Sequence, residues 1–403
     1  MRILHTADWH LGKKLGTFSR IEEQVKVMEE IINIAEDNAV DAILIAGDVF
    51  DAANPPTEAL ELFYSTVKRL SKEGSRLVVV IAGNHDSPDK IDAPDPLARA
   101  SGIIFVGYPN ALVKPMQLPS GMAITIADKG FIEARLPGVD YPLRLLLTPY
   151  ANEQRLKQFL GIEDKEALLN ETLQQQWQSI ADQYMDTKGV NVLMAHLFVM
   201  QRGGTIPEEP DGEKPIKIGN ADLVYTDIIP AQIQYTALGH LHRHHQVAGH
   251  QQPVAYSSSP LAYSFSEAGQ SKYVCLVTLE PGQDAHVEKI ALQSGRSLYR
   301  KTFDDIDIAV DWLAAHPYSL VELTIKSDTY LQSEDLRRLQ QAHDGIIQII
   351  PQVRLHKLQD KTIKHIDIEQ DISSLFADYF RSKHKQEPNK ALMALFQEIL
   401  QEK

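Results

Sequence analysis

One cysteine, Cys275, is all that 403 residues contain. A lone thiol excludes an intrachain disulfide and a cluster of thiolate metal ligands. It fits a reducing cytoplasm and leaves any metal to oxygen and nitrogen donors. Long apolar runs are missing too: none approaches a membrane span, and the N-terminus enters a strand rather than a signal peptide. A cytoplasmic chain without membrane contact is expected. Positive charge is short, with 40 Lys and Arg against 54 Asp and Glu, a net charge of −14. That balance argues against broad nucleic-acid binding through a basic surface, but not against a local site. Two bound divalent cations would add positive charge where an anionic substrate must sit. Internal repeats and low-complexity segments are absent as well. At this length, with 43% hydrophobic and 23% charged residues, two or three globular domains are expected.

What is present is organised around strand ends. The opening Arg2-Ile3-Leu4-His5-Thr6-Ala7-Asp8-Trp9-His10 reads as an apolar strand ending in a carboxylate and an imidazole two residues apart. In an extended chain such residues share a face, so Asp8 and His10 can point at one object, a pairing suited to a divalent transition metal. Ser19-Arg20-Ile21-Glu22 predicts a capping box, and Val25, Met28, Ile32 and Ala35 predict the buried stripe of a helix to about Asn38. Asp41 to Ala46 is a short apolar run, as in a parallel strand covered on both faces, and ends in Gly47-Asp48-Val49-Phe50-Asp51. Pro55-Pro56-Thr57 opens a second helix carrying Leu60, Phe63, Val67 and Leu70. Leu77 to Ala82 is another buried strand, ending in Gly83-Asn84-His85-Asp86. This β-α-β-α-β progression puts polar residues at the carboxyl ends of strands, where open α/β sheets bind ligands.

Residues 103–150 are richer in strands, and Glu166 to about Tyr184 predicts a long helix. Asn191 to His196 is a strand ending in a histidine, and the strand from Tyr235 to Leu238 runs into Gly239-His240-Leu241-His242. Strands near Val254–Tyr256 and Tyr273–Val277 close the domain. From about Ser294 a small α/β unit follows: a helix with Ile306, Val310 and Leu313, a strand with Val321, Leu323 and Ile325, a helix capped by Ser333, and a strand from Ile346 to Leu358. Two amphipathic helices end the chain, one with Ile368, Ile372, Leu375 and Tyr379, the other with Leu392, Leu395 and Ile399. Pro388-Asn389 separates them, with Asn389 as N-cap.

Asp8, His10, Asp48, Asn84, His196, His240 and His242 thus all fall at the carboxyl ends of apolar strands. Any one of these loops alone reads as a cap, a turn or a surface histidine; together they make a ligand set for two hard-to-borderline metals, with Asp48 from the central strand as the natural bridge. Two such ions about 3.5–4 Å apart can hold a hydroxide between them as nucleophile and clamp a phosphoryl oxygen. Gly47, Gly83 and Gly239 are expected to let the backbone turn sharply as each strand ends. His85 is read as a proton donor or phosphate contact rather than a ligand, the alternative being a supporting histidine.

The series Asp8-x-His10, Gly47-Asp48-x-x-Asp51, Gly83-Asn84-His85-Asp86, His196 and Gly239-His240-x-His242 resembles the calcineurin-like metallophosphoesterase superfamily. Met1 to Gly12, Ala46 to Asp51, Ala237 to His242, and Ser259-Pro260-Leu261 with Ser264-Phe265 resemble, more narrowly, the SbcD exonuclease subunits of bacterial double-strand-break repair. The resemblance covers essentially the whole chain. It implies an α/β fold: a two-sheet sandwich flanked by helices, with a small α/β cap and a C-terminal helical tail. The domains would be 1–290 for the nuclease, 291–364 for a DNA-facing cap, and 365–403 for a helix pair docking an SbcC-type coiled-coil ATPase. Asp8, His10, Asp48 and His242 would hold one metal, and Asp48, Asn84, His196 and His240 the other, with His85 the catalytic histidine outside both sets. The metal would be manganese. The activity would be 3′→5′ exonuclease cleavage of duplex DNA and endonuclease cleavage of single strands, by a homodimer within a heterotetramer. Two positions depart from the family pattern: Asp51 stands where archaeal relatives carry a histidine, and Ser258 where relatives often have glycine. A small-molecule phosphodiesterase and a protein-binding scaffold on the same fold are the competing readings. The first has little need of a cap and docking helices, and the second would be marked by lost ligands, whereas all seven positions are filled.

Overall fold

The computed structural model describes residues 1–157, 164–206, 223–327 and 331–353, together with 372–376, 380, 388, 392–393 and 396. Two large sheets dominate. The first runs in the order His286–Leu292, Lys272–Thr278, Arg2–Thr6, Ala42–Ala46, Leu77–Ile81, Ile103–Val106. Its last four strands are mutually parallel, and Lys272–Thr278 closes antiparallel onto Arg2–Thr6. The second sheet has eight strands, with Leu143–Thr148, Val190–His196, Tyr235–Gly239 and Val254–Tyr256 parallel at its centre.

The period of two in the strands sorts their side chains between two cores. Ile3, Leu44 and Val79 meet Leu145, Val192 and Tyr235 in the layer between the sheets. Leu4, Ile43 and Val78 point the other way, against the helices Ile21–Asp37 and Thr57–Leu70. The Lys165–Tyr184 helix covers the outer face of the second sheet through Leu169, Leu173 and Trp177.

The first helix differs from its predicted frame. Val25 is 50% exposed, and the buried stripe runs through Gln24, Val27, Met28, Ile31, Ile32 and Ala35. The Ser19 capping box does not form. Arg20 occupies the cap position without a side-chain cap, because its guanidinium turns inward to Glu23 and the Ala262 carbonyl.

Residues 297–353 form a three-stranded sheet, Ser297–Phe303, Ser319–Ser327 and Ile346–Val353, packed by the helices Ile306–Ala315 and Ser333–Ala342. Gln332, not Ser333, caps the second of these helices, in a box with Asp335. A cluster of Leu15, Phe265, Leu298 and Leu320 joins this sheet to the rest of the unit 1–352. Residues 353–403 form a separate compact unit, in which Phe376 stacks on Phe396 with ring centroids 4.0 Å apart. Ile368, Tyr379, Asn389, Leu395 and Ile399 lie outside the described residues. Among those described, no helix is long and apolar enough to cross a membrane.

Candidate metal centre

Parallel strands release their loops at one edge, and the two sheets bring five such loops together. The first two are zipped by backbone bonds: Asp8 N–H donates to Gly47 O at 3.0 Å, His10 N–H to Asp48 O at 3.0 Å, and Leu11 N–H to Val49 O at 2.9 Å. In the second sheet His196 lies in register with Gly239. Two bonds then cross between sheets, from His240 N–H to Asp8 Oδ1 at 2.9 Å and from His196 Nδ1 to Ala46 O at 2.8 Å.

So tight a junction demands unusual backbone. Nine non-glycine residues have positive φ among the described ones, and four of them are Asp8 (54°), His10 (42°), Asp48 (48°) and His240 (115°). Such conformations cost about 1–3 kcal/mol each and cluster at functional sites. Gly47 does turn through the left-handed region, as expected, at φ +90°. Gly83 and Gly239 do not; they are needed for space. A Cβ on Gly83 would lie 2.1 Å from Asp48 Oδ1, and one on Gly239 1.9 Å from the Ala46 carbonyl oxygen.

The seven side chains named from the sequence converge here. Asp8, His10, Asp48, His196, His240 and His242 are buried, and Asn84 is half-buried. Asp8, His10 and His242 offer donor atoms within 4.8 Å of one another, as do Asp8, Asp48 and His196. Asp48 Oδ2 lies 3.4 Å from His196 Nε2 and 3.7 Å from His10 Nε2. His240 stands beside these groups, its ring centroid 5.7 Å from that of His196. His85 and the side chain of Asp51 approach His10 from the mouth, and Lys13 Nζ pairs with Asp51 Oδ1 at 2.9 Å. His85 Nδ1 donates to the Asp51 carbonyl at 2.8 Å.

These donors fit divalent cations. Asp8 Oδ1 and Asp48 Oδ1 each accept a backbone N–H, from His240 and His85, whereas both Oδ2 atoms are buried with no hydrogen bond among the described residues. His196 spends Nδ1 on a carbonyl and His242 sets Nδ1 against the Glu267 carboxylate at 3.3 Å, so each neutral ring turns an Nε2 lone pair inward. The His196 lone pair meets another acceptor, Asn84 Oδ1, at 2.9 Å, and His242 Nε2 faces His10 Nε2 at 2.9 Å. Without a cation, only protons can relieve this. Burial pushes the Asp8 carboxyl up to about 7. Burial opposes charge on His196, but the Asp48 carboxylate outweighs it and pushes the imidazole up to about 9.

Several residues that hold the centre carry no signal at a strand end. Gln24 accepts from Gly12 N–H at 3.0 Å and donates to His10 O at 2.9 Å, which is why a polar residue occupies the helix stripe. Asp86 accepts from the N–H groups of Gly83, Val49 and Phe50, tying two loops together. Burial, then the Asp48 charge, pushes its carboxyl up to about 6. Below His242, Lys272 Nζ donates to Glu267 Oε2 at 2.5 Å, to His242 O at 2.8 Å and to Ser259 Oγ at 2.9 Å. Asp86 lies inside the Gly83-Asn84-His85-Asp86 motif, and Glu267 two residues beyond Ser264-Phe265. Lys272 is announced by nothing. Ser258, which stands where relatives often have glycine, adopts φ +101°, with its Oγ bonded to the backbone of Tyr273.

Residues 1–191 match the family model described as calcineurin-like phosphoesterase. The chain is similar to the SbcD component of the SbcCD nuclease of Bacillus subtilis, 35% identical over 409 residues that span 99% of this chain and 97% of that one. The same component from Escherichia coli K12 is 30% identical over 351 residues, covering 85% and 82%. That of Staphylococcus epidermidis is 27% identical over 395 residues, covering 95% and 93%.

Proposed function

This chain belongs to the SbcD family of calcineurin-like phosphoesterases, and from that premise we propose that it is the nuclease subunit of a complex for DNA repair and recombination. It hydrolyses DNA phosphodiester bonds with two divalent ions, manganese foremost. The observation that carries this reading is the pair of buried carboxylate oxygens, Asp8 Oδ2 and Asp48 Oδ2, which have no hydrogen bond among the described residues and lie among imidazoles.

Asp8, His10, Asp48 and His242 would hold one ion, and Asp48, Asn84, His196 and His240 the other. Asp48 is the shared ligand, since its Oδ2 stands within 3.4 Å of a nitrogen of one set and 3.7 Å of a nitrogen of the other. When bound, such ions supply charge neutralisation at phosphoryl oxygens and activation of water near neutral pH. The chain's part is to fix its donors beforehand. The His240 and His85 N–H groups lock the two carboxylates, and the Ala46 carbonyl and Glu267 set the imidazole tautomers. His85 stays outside both sets: Nδ1–H is committed to the Asp51 carbonyl, which leaves Nε2 for the substrate, and from Nε2 the imidazolium form donates to a phosphate oxygen or protonates the leaving oxygen.

The family also suggests the surroundings. Residues 291–364 face DNA, residues 365–403 dock an SbcC-type coiled-coil ATPase, and the chain works in the cytoplasm as a homodimer within a heterotetramer. It cuts duplex ends 3′→5′ as an exonuclease and single strands as an endonuclease. To test this, the full chain is incubated with linear duplex and circular single-stranded DNA in manganese. Cleavage should vanish in EDTA and in Asp48→Ala, whose manganese stoichiometry should fall below two. DNA left intact while a small phosphodiester is hydrolysed would overturn the nuclease reading.

A further inference from the structure

Arg155 belongs to the second sheet and serves the first. It sits in the short Glu153–Leu156 helix just beyond the Leu143–Thr148 strand, where Asn152 Oδ1 accepts its backbone N–H at 2.9 Å. Its guanidinium reaches the loop after the Leu77–Ile81 strand: Nη1 donates to Gly83 O at 2.8 Å and Nη2 to Asp86 O at 2.9 Å. Those two carbonyls bracket Asn84 and His85. The Tyr150 ring lies 4.9 Å from the guanidinium, and Tyr150 N–H donates to Ala82 O at 2.9 Å, so the whole turn is laid along the loop.

The loop is therefore held on two sides by opposite means. Inside, the Asp86 and Asp48 carboxylates collect its N–H groups. Outside, one cation collects its carbonyls. A planar fork fixes the spacing of two acceptors at once, which a single ammonium cannot do. We propose that Arg155 is a positioning residue for the nuclease reaction: it sets the shape of the Gly83–Asp86 loop and hence the places of Asn84 and His85. This role rests on the two-metal nuclease reading of the centre. Arg155 also lines a cavity of about 420 Å³, with Asp92, Tyr108, Asn110 and Lys157 among others. A free guanidinium ion thus has a way into the place the side chain would leave.

The test uses the full chain, as wild type, Arg155→Ala and Arg155→Lys, with three readouts. The first is hydrogen exchange of the amides of residues 83–87, the second is manganese affinity by titration, and the third is steady-state cleavage of an oligonucleotide duplex. In Arg155→Ala, exchange should accelerate in that loop alone. One of the two manganese ions should bind about tenfold more weakly. The kcat should fall about 10²-fold with KM unchanged, the effect of a misplaced catalytic group. Guanidinium hydrochloride at millimolar concentration should restore part of the rate and slow the loop's exchange, while Arg155→Lys should behave like the alanine variant. Unchanged exchange with a raised KM would make Arg155 a DNA contact and overturn the proposal, as would a melting temperature lowered in both variants without rescue. If wild type cleaves no DNA, the nuclease reading fails, and the exchange and manganese arms still decide what Arg155 does.

Discussion

In the small unit of residues 297–353, both helices begin with ordinary caps. Asp305 Oδ1 accepts from Ile308 N–H at 3.0 Å, and Gln332 N–H donates to Asp335 at 3.2 Å. Its buried His343 accepts from Gly345 N–H through Nδ1 and meets the His316 carbonyl through Nε2. None of its described residues other than glycine has positive φ. At the strand ends of the sandwich five side-chain-bearing residues, Ser258 among them, adopt that conformation, two buried carboxylate oxygens have no hydrogen bond among the described residues, and imidazoles face one another. Both regions pack well, so packing does not distinguish them. The difference lies in what is left unsatisfied: local rules hold where the chain only has to fold, and break where it has to bind something.

Four experiments sharpen that contrast. The largest effect is expected from His85→Ala, which should keep both manganese ions and near-native stability but cleave at least about a hundredfold more slowly. Metal stoichiometry and single-turnover rates on one preparation check it, and a lost ion would make His85 a ligand instead. Next comes Glu267→Ala. It strands the buried Lys272 ammonium and should cost about 3–5 kcal/mol in denaturant unfolding. Glu267→Leu with Lys272→Met should recover most of that stability, yet leave manganese affinity about 10–100-fold lower because His242 is no longer oriented. If affinity returns with stability, the pair only supports the fold.

The third concerns His5, fully buried between the Tyr235 hydroxyl and the Leu238 carbonyl. Burial lowers its imidazole from 6.5 to about 3, so the folded ring stays neutral where the unfolded one takes a proton. Its contribution is whole above pH 6.5 and is lost as the pH falls from there toward 3, at up to about 1.4 kcal/mol per pH unit. His5→Asn should therefore flatten the slope of unfolding free energy between about pH 6 and 4, relative to wild type, by about one proton. An equal slope in the two proteins would contradict this. The smallest effect is Asp305→Ala in the small unit. Losing a cap should cost about 1 kcal/mol and leave manganese affinity untouched; a weakened metal site would mean that the two regions are energetically coupled.

The same contrast explains what is legible in the sequence. Asp8, Asp48 and His196 can be read because each ends an apolar run, and the period of two fixes which residues share a face. The positions of the main helices and strands follow from the same periodicity. The first helix's stripe departs from expectation at Val25 because Gln24 is buried for its tertiary bonds to Gly12 and His10, which no local pattern encodes. Ser19 and Ser333 look like caps by residue type, but Arg20 is drawn inward by Glu23, and Gln332 pairs with Asp335. Lys272 and Arg155 act on loops distant in sequence, so their neighbours along the chain say nothing of them, whereas Glu267 closes a local capping box with Ser264.

The pairing of Arg2–Thr6 with Lys272–Thr278 has a consequence for the protein's synthesis. The strand that delivers Asp8 and His10 lies inside a sheet whose neighbour on one side is translated some 270 residues later, and His240 and His242 also arrive late. At about 5–20 residues per second, the nascent chain spends roughly 10–60 s with its first donors made and its last ones missing. A centre split this way along the message cannot be assembled on the ribosome until about two-thirds of the polypeptide has emerged.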